Sequence, residues 1–187
     1  MRIISGKLKG KAISFLKSKT TRPLKDSVKE SIFNILVHSN LININLKNSN
    51  VLDLYSGIGS FGLECISRDA KDVTFVEKDI DVGKILNNNL MELQINNYAD
   101  VIIGEISNYL MTNIKKKFDI FFLDPPFVEK NYLNDLSLIK KKNIFKKDHI
   151  VIIHRERKSS DDFKDVLKPL ITKQYGRSKI IFGKFLR

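Results

Sequence analysis

The chain is poor in residues that several classes of protein require. Its 187 residues include a single cysteine, Cys65, which excludes an internal disulfide framework and a cysteine-rich zinc site. Cys65 lies beside Ile66 in a predicted helix, and we interpret it as a core residue rather than a nucleophile. No apolar run approaches the roughly 18 residues of a membrane span, and the N-terminus lacks the apolar core of a signal peptide. These absences favour a globular protein of the reducing cytoplasm with no membrane partner.

Histidine is also scarce, and its positions do not indicate a metal site. The three histidines, His38, His149 and His154, lack the spacing of a metal-binding motif. We therefore predict no metal and interpret all three as structural residues. No segment has the pattern of an oligomer interface either, so we expect a monomer.

Acidic residues are deficient only at the two ends of the chain, whose formal net charge is +12. Residues 1–30 have nine Lys or Arg and two Asp or Glu, and residues 154–187 have ten and four, whereas residues 31–153 have fourteen and fifteen. Basic ends around a neutral centre are typical of a protein whose ends bind a polyanion. Compositional drift toward lysine is the alternative, but drift would not leave the centre neutral. The predicted phosphate-binding residues are Arg2, Lys7, Lys9, Lys11 and Arg22.

Short strands and helices alternate from Val51 onward. The predicted strands are Val51–Leu54, Val73–Glu77, Val101–Ile103, Asp119–Leu123 and His149–Ile153. Helical spacing occurs near 60–68, 81–93, 105–115, 132–141 and 161–168. Several strands are apolar without alternation, which favours a parallel sheet with helices on both faces. Residues 170–175 and 179–185, joined around Gly176, predict a closing antiparallel pair.

A smaller unit precedes the alternating elements. Residues 2–15 predict two short strands around a glycine-containing turn. An apolar stripe at helical spacing then predicts a helix from about Asp26 to Val37. Residues 39–50 are polar and rich in asparagine, which is typical of a connecting segment.

A glycine-rich loop follows the first strand. Gly57-Ile58-Gly59-Ser60-Phe61-Gly62 opens a helix, and its glycines let a ligand approach the backbone at the helix N-terminus. Glu77, twenty residues after Gly57, can accept hydrogen bonds from two ribose hydroxyls, and Glu105 can accept one from an adenine amine. An NAD site has a similar pattern, but Asp53 before the loop disfavours a pyrophosphate and suits the ammonium and sulfonium of S-adenosylmethionine. The predicted cofactor-binding residues are Asp53, Tyr55, Gly57, Gly59, Glu77 and Glu105.

The predicted catalytic residues are four consecutive positions at the end of a buried strand. Asp124-Pro125-Pro126-Phe127 follows the apolar run 118–123. The Asp124 carboxylate can accept a hydrogen bond from an amino group, and the two prolines remove two competing N–H donors. Phe127 offers a flat face on which a planar base can stack. These residues predict a site for an exocyclic amine on an aromatic ring, and a plain proline turn after a strand is the alternative.

Taken together, the motifs resemble a known family. Asp53-x-x-x-Gly57-x-Gly59, Glu77 and the sequence 124–127 resemble class I S-adenosylmethionine-dependent methyltransferases that act on an exocyclic amine. Further segments narrow the resemblance to the bacterial 16S rRNA (guanine-N2)-methyltransferases. These segments are Arg2–Gly6, Arg22-Pro23, Asp26–Asn34, Gly62–Ala70 and the turn at Tyr175-Gly176.

The resemblance implies both a fold and a function. The fold is α/β and Rossmann-like, with a mostly parallel seven-stranded sheet whose last strand is reversed, preceded by a small hairpin and helix. Residues 1–38 are expected to form an RNA-binding extension, and residues 39–187 the S-adenosylmethionine-dependent methyltransferase domain. The implied reaction is methyl transfer to the exocyclic N2 of a guanine in 16S rRNA, with the small ribosomal subunit or its assembly intermediate as partner.

Two other functions remain open from the sequence. DNA adenine-N6 methyltransferases use a similar Asp-Pro-Pro-aromatic motif, but they usually carry a target-recognition insertion for which this chain has no room. A non-catalytic RNA-binding module of the same fold would not require Asp53, Glu77 and Asp124 together. An RNA methyltransferase is therefore the favoured interpretation.

Overall fold

Seven strands form one sheet in the computed structural model, which describes residues 1–15 and 24–186. The strands are β1 Asn50–Leu54, β2 Asp72–Glu77, β3 Ala99–Ile103, β4 Phe118–Leu123, β5 Phe145–Glu156, β6 Leu167–Tyr175 and β7 Ser178–Phe185. The helices are α1 Asp26–His38, α2 Ser60–Ser67, α3 Ile80–Glu92, α4 Ile106–Met111 and α5 Tyr132–Lys142, and a 3₁₀ turn spans Asn96–Tyr98. All seven predicted strands of the sheet are confirmed.

The strands lie in the order β3-β2-β1-β4-β5-β7-β6. Strands β1 to β5 are parallel to their neighbours within this group, and β7 is antiparallel to both β5 and β6. The mostly parallel sheet with a reversed last strand is therefore confirmed. Strand β1 lies between β2 and β4, so the chain order reverses there. In parallel sheets, ligands bind outside the carboxyl ends of the strands at such a point.

The central strands are buried on both faces because successive side chains point to opposite sides of a sheet. In β5, Ile152 packs in the core under α1, α2 and α3, whereas Ile153 packs in the core under α4 and α5. Burial on both faces explains why these strands are apolar without alternation. Among the described residues, no helix has the length and apolar character needed to cross a membrane.

The N-terminal segment is attached to α2. Its two predicted strands are shorter than expected and form an antiparallel pairing around one bridge, between Arg2 and Ala12. Glu64 of α2 accepts hydrogen bonds from the backbone N–H groups of Ile4 and Ser5, at 2.8 and 3.0 Å. A buried carboxylate therefore fixes this segment on the helix that follows the glycine-rich loop.

Three stacked aromatic rings connect α1 to the sheet. Phe61 of α2 lies between Phe33 of α1 and Phe122 of β4, with ring centroids 5.2 and 4.1 Å apart. Offset stacking of this kind adds to the free energy gained from burying the rings. The N-terminal helix thus shares a core with the central strands.

The prediction of a helix near 161–168 is wrong. These residues form turns, and β6 begins already at Leu167. Lys164 has a φ of 42°, which lies in the left-handed region and interrupts a right-handed helix. Helix α4 is also shorter than predicted and ends at Met111 instead of residue 115.

Candidate active site

A cavity of about 580 Å³ opens beyond the carboxyl ends of β1, β2, β4 and β5. This volume is typical of small-molecule sites. The cavity is lined by the four predicted catalytic residues, 124–127, and by five of the six predicted cofactor-binding residues, Asp53, Tyr55, Gly57, Glu77 and Glu105. The sixth, Gly59, is buried at the start of α2. The structure thus brings the two predicted groups into one site.

The glycine-rich loop turns tightly between β1 and α2. Gly59 has a φ of 83°, and a Cβ atom at this position would lie 2.4 Å from Cδ1 of Leu86, so no larger residue fits without rearrangement. The Gly57 N–H donates to Oε2 of Glu77 at 2.7 Å, and the Asp79 N–H donates to Oε1 at 2.9 Å. Each carboxylate oxygen can accept more than one hydrogen bond, so Glu77 is held in place and remains an acceptor for a ligand.

Asp53 is a buried carboxylate with one oxygen unsatisfied. Its Oδ2 accepts a hydrogen bond from the Gly62 N–H at 2.9 Å, whereas Oδ1 has no partner among the described residues. Burial raises the pKa of Asp53 well above its usual value, and the charges of Asp124 and Glu77 add to this effect. The hydroxyl of Ser56 is likewise buried without a partner among the described residues. An unsatisfied buried acceptor on the wall of a cavity indicates a site for a ligand donor.

Most charged side chains on the cavity wall are carboxylates. The acidic residues of the wall are Asp53, Glu77, Glu105, Asp124, Glu129 and Asp135. Lys78 is the lysine among the described lining residues. Tyr55 donates a hydrogen bond from its hydroxyl to Oδ2 of Asp135 at 2.7 Å. An anionic pyrophosphate would be repelled by this wall, whereas a cation is attracted. These acceptors therefore fit the ammonium and sulfonium of S-adenosylmethionine better than a dinucleotide.

Asp124 is paired with a histidine. Its Oδ1 lies 2.8 Å from Nδ1 of His154, the residue near the carboxyl end of the neighbouring strand β5. An ionised carboxylate only accepts hydrogen bonds, so Nδ1 of His154 is then the donor. The ring of Phe127 meets the His154 ring edge-on, with centroids 5.6 Å apart. The sequence analysis interpreted His154 as structural; the structure places it on the cavity wall, in contact with the predicted catalytic carboxylate.

Arg155 contacts the backbone of the segment 124–127. Its Nη1 and Nη2 donate to the carbonyls of Pro126 and Phe127, both at 3.2 Å. The Nε donates to Oδ1 of Asp161 at 3.0 Å. Arg155 is 2% exposed, so the guanidinium is held inside the protein by these acceptors.

A family model described as conserved hypothetical protein 95 matches residues 1–184. The chain belongs to this family. It is 34% identical over 158 residues to ribosomal RNA small subunit methyltransferase D of Buchnera aphidicola, a match that covers 84% of this chain and 79% of the relative. The structure of a candidate methylase from Haemophilus influenzae, HI0767, is 30% identical, with a TM-score of 0.79 and coverage of 100% of this chain and 98% of that one. An RNA methyltransferase from Salinibacter ruber, solved with S-adenosyl-L-homocysteine, shares the fold at 14% identity, with a TM-score of 0.64 and coverage of 88% and 94%.

Four of the five predicted RNA-binding residues of this member of the conserved hypothetical protein 95 family are described, and none of these four lines the cavity. Lys9 and Lys11 are exposed on the N-terminal segment. Arg2 lies 3.8 Å from Asp26, and Lys7 lies 3.9 Å from Asp69, in exposed ion pairs that contribute little to stability. The remaining predicted residue, Arg22, is outside the described residues.

The sequence analysis missed His154, Arg155 and Asp135. Asp135 is on α5, far along the chain from Tyr55, and no local pattern indicates their contact. The position of His154 and Arg155 was a usable signal, because both directly follow Ile153, the last residue of β5 that pairs with β4. Carboxyl ends of adjacent parallel strands meet at one edge of the sheet. His149 is buried, as predicted, and its Nε2 accepts a hydrogen bond from the Phe185 N–H.

Proposed function

We propose that the protein transfers a methyl group from S-adenosylmethionine to the exocyclic N2 of a guanine in 16S rRNA, within the small ribosomal subunit or an assembly intermediate. The observation that carries this proposal is the single cavity shared by the sequence 124–127, the Gly57 loop and Glu77. The relatives named for small-subunit rRNA methylation support the same reaction class.

The cofactor would be held by the six predicted residues around the glycine-rich loop. S-adenosylmethionine supplies an electrophilic methyl group on its sulfonium. Asp53 offers the ammonium an unsatisfied buried oxygen, and Glu77 offers acceptors to the ribose hydroxyls. Tyr55, Gly57 and Gly59 shape the loop, and Glu105 lies on the wall as an acceptor for the adenine amine. The fit rests on the negative wall and on the unsatisfied Asp53 oxygen, both properties of this chain.

The catalytic contribution of the protein is mainly to orient the amine. The exocyclic nitrogen of guanine is a weak nucleophile because its lone pair is delocalised into the ring. Asp124 and the Pro125 carbonyl accept hydrogen bonds from its two N–H groups, which localises the lone pair on the nitrogen and directs it toward the methyl group to be transferred, and Phe127 stacks on a base flipped from the RNA. The nitrogen loses one proton as it becomes methylated, and Asp124 or water receives it.

The RNA would be held by the basic ends of the chain. Arg2, Lys7, Lys9, Lys11 and Arg22 contact phosphates in this proposal, with residues 1–38 as the RNA-binding extension and residues 39–187 as the methyltransferase domain. Phosphate contacts position the substrate without selecting a base, and the pocket of Asp124 and Phe127 makes that selection.

The test is a direct assay with labelled S-adenosylmethionine. The protein is incubated separately with unmethylated small ribosomal subunits, with 16S rRNA and with duplex DNA, and each product is digested to nucleosides. Label in N2-methylguanosine is the expected result, and the better of the two RNA substrates shows the stage of ribosome assembly at which the protein acts. Label in N6-methyladenine from DNA would contradict the proposal in favour of a DNA methyltransferase. Bound cofactor without label in any substrate would favour a non-catalytic RNA-binding module.

A further inference from the structure

Two consecutive side chains of β5 hold the loop 124–127 from opposite faces of the sheet. His154 and Arg155 are 8% and 2% exposed, and their side chains project to opposite faces because they are neighbours in a strand. His154 contacts the carboxylate of Asp124. Arg155 donates hydrogen bonds to the backbone carbonyls of Pro126 and Phe127. We call His154 and Arg155 the β5 clamp.

Arg155 is itself fixed by a buried network. Oδ1 of Asp161 accepts hydrogen bonds from Nε of Arg155 and from the Tyr132 hydroxyl, at 3.0 and 2.6 Å. Oδ2 of the same carboxylate lies 2.9 Å from Nζ of Lys179. The Arg155 guanidinium also lies over the Tyr132 ring, 4.5 Å from its centroid. Buried charges are costly unless every member is satisfied, and a satisfied network is rigid.

The clamp determines which acceptors of the loop remain available. The Pro126 carbonyl is used twice, by Arg155 and by the Glu129 N–H at 2.9 Å, and the Phe127 carbonyl is used by Arg155. Among the described residues, no hydrogen bond is made to the Pro125 carbonyl or to Oδ2 of Asp124. Because prolines supply no N–H donors, nothing in 125–126 competes for these two oxygens.

We propose that His154 and Arg155 are positioning residues that make Oδ2 of Asp124 and the Pro125 carbonyl into one acceptor pair. Such a pair matches the two N–H bonds of a primary aromatic amine, and a ring carbonyl at the same place would face two acceptors. The clamp thereby selects substrates with an exocyclic amino group. The choice of substrate in this inference rests on the proposed function. The fixed conformation of the loop 124–127 is independent of that function.

The first arm of the test measures catalysis. Arg155→Met and His154→Ala are each expected to lower kcat at least about 10-fold, because small displacements of reacting groups are costly. Cofactor affinity is expected to stay within about twofold, since the hydrogen bonds of both side chains to the site go to residues 124–127 and not to the glycine-rich loop. His154→Asn retains a donor for Asp124 and is expected to recover part of kcat. Arg155→Lys keeps the charge but loses the planar fork, so it is expected to resemble Arg155→Met.

The second arm measures the loop without any substrate. The chain has no tryptophan, so Phe127→Trp introduces a single tryptophan into the loop, which is excited at a wavelength that tyrosine does not absorb. Adding Arg155→Met to this variant is expected to raise acrylamide quenching about twofold or more, and Arg157→Met is the matched control because Arg157 is exposed two residues further along. Circular dichroism at each assay temperature confirms that all variants are folded.

The outcomes separate the clamp from the proposed function. Unchanged quenching in the Arg155→Met background would overturn the clamp, whatever the substrate is. Increased quenching with unchanged kcat would overturn its positioning role. If the unaltered protein methylates no guanine, the proposed function fails instead, and the quenching arm still decides whether the clamp orders the loop.

Discussion

At the scale of single residues, Asp53 shows how one buried carboxylate can serve binding at a cost to the free protein. Its raised pKa means that the fold disfavours the ionised form, so stability is highest below the ordinary pKa of 3.8 and is lost as the pH rises through the raised pKa. Asp53→Asn removes the charge and keeps an acceptor for the Gly62 N–H. We expect unfolding temperatures no lower than those of the unaltered free protein, with S-adenosylmethionine affinity reduced about 10-fold, which calorimetry measures. Asp148→Asn, at an exposed position, is the control.

The same carboxylate makes cofactor binding depend on pH. A bound cation favours ionised Asp53 and therefore lowers its pKa, so binding releases protons. Affinity for S-adenosylmethionine should rise with pH through the range in which Asp53 titrates in the free protein. Calorimetric titrations in two buffers with different ionisation enthalpies measure the released protons. Proton uptake on binding, or release that persists in Asp53→Asn, would contradict this assignment.

Asp124 is the residue on which the proposed chemistry depends most. Asp124→Ala is expected to lower turnover on 16S rRNA at least about 100-fold, because both the orienting acceptor and the nearest proton acceptor are lost. Cofactor affinity should change by no more than about threefold, since Asp124 is not part of the glycine-rich loop. Asp124→Asn keeps the size and one acceptor oxygen and is the conservative comparison. Single-turnover rates measure the step, and an unaltered rate in Asp124→Ala would contradict the assignment.

At the scale of elements, the sequence predicted the strands better than the segment between β5 and β6. The strands are buried on both faces and therefore have continuous apolar runs that depend on no distant contact. The segment near 161–168 has helical spacing, but Asp161 is bonded to Tyr132, Arg155 and Lys179 from three other elements. Such long-range polar contacts override local spacing and are not visible in a single sequence. The glycine-rich loop has a local pattern and could be predicted, whereas the contacts of His154 and Arg155 with residues 124–127 are long-range and were not predicted.

The network around Asp161 predicts how this region responds to acid. Burial opposes ionisation, but hydrogen bonds from Tyr132, Lys179, Ser159 and Arg155 together lower the pKa of Asp161 to about 2, from 3.8. A lowered pKa contributes stability above pH 4 that is lost as the pH falls toward 2. Asp161→Asn should therefore lower the free energy of unfolding by roughly 2 kcal/mol at pH 7, and by progressively less below pH 4. Urea unfolding at several pH values measures this, with the exposed Asp162→Asn as control.

At the scale of the whole molecule, the ends of the chain carry a net positive charge, whereas the charged side chains of the cavity are mostly negative. The cavity wall is rich in carboxylates, whereas both ends of the chain are basic. A cation is therefore attracted to the site, while a polyanion is attracted to the basic segments. The composition predicted the basic ends, because they depend only on how many charges each segment carries, whereas the gathering of carboxylates on the cavity wall depends on the fold.

If RNA binds to the basic segments, its affinity should depend on the salt concentration and on the lysines exposed there. Affinity for 16S rRNA should fall steeply with salt, because each phosphate contact releases a counterion. Replacing Lys9 and Lys11 by Ala should make the logarithmic salt dependence shallower by about 1 to 2 units, since both are exposed on the basic N-terminal segment. Replacing Lys141 and Lys147, exposed in the neutral centre, is the matched control and should leave the slope unchanged. Filter-binding titrations at several salt concentrations measure the slopes. Equal slopes for both pairs would mean that the N-terminal lysines are only a solvated surface and that RNA binds elsewhere.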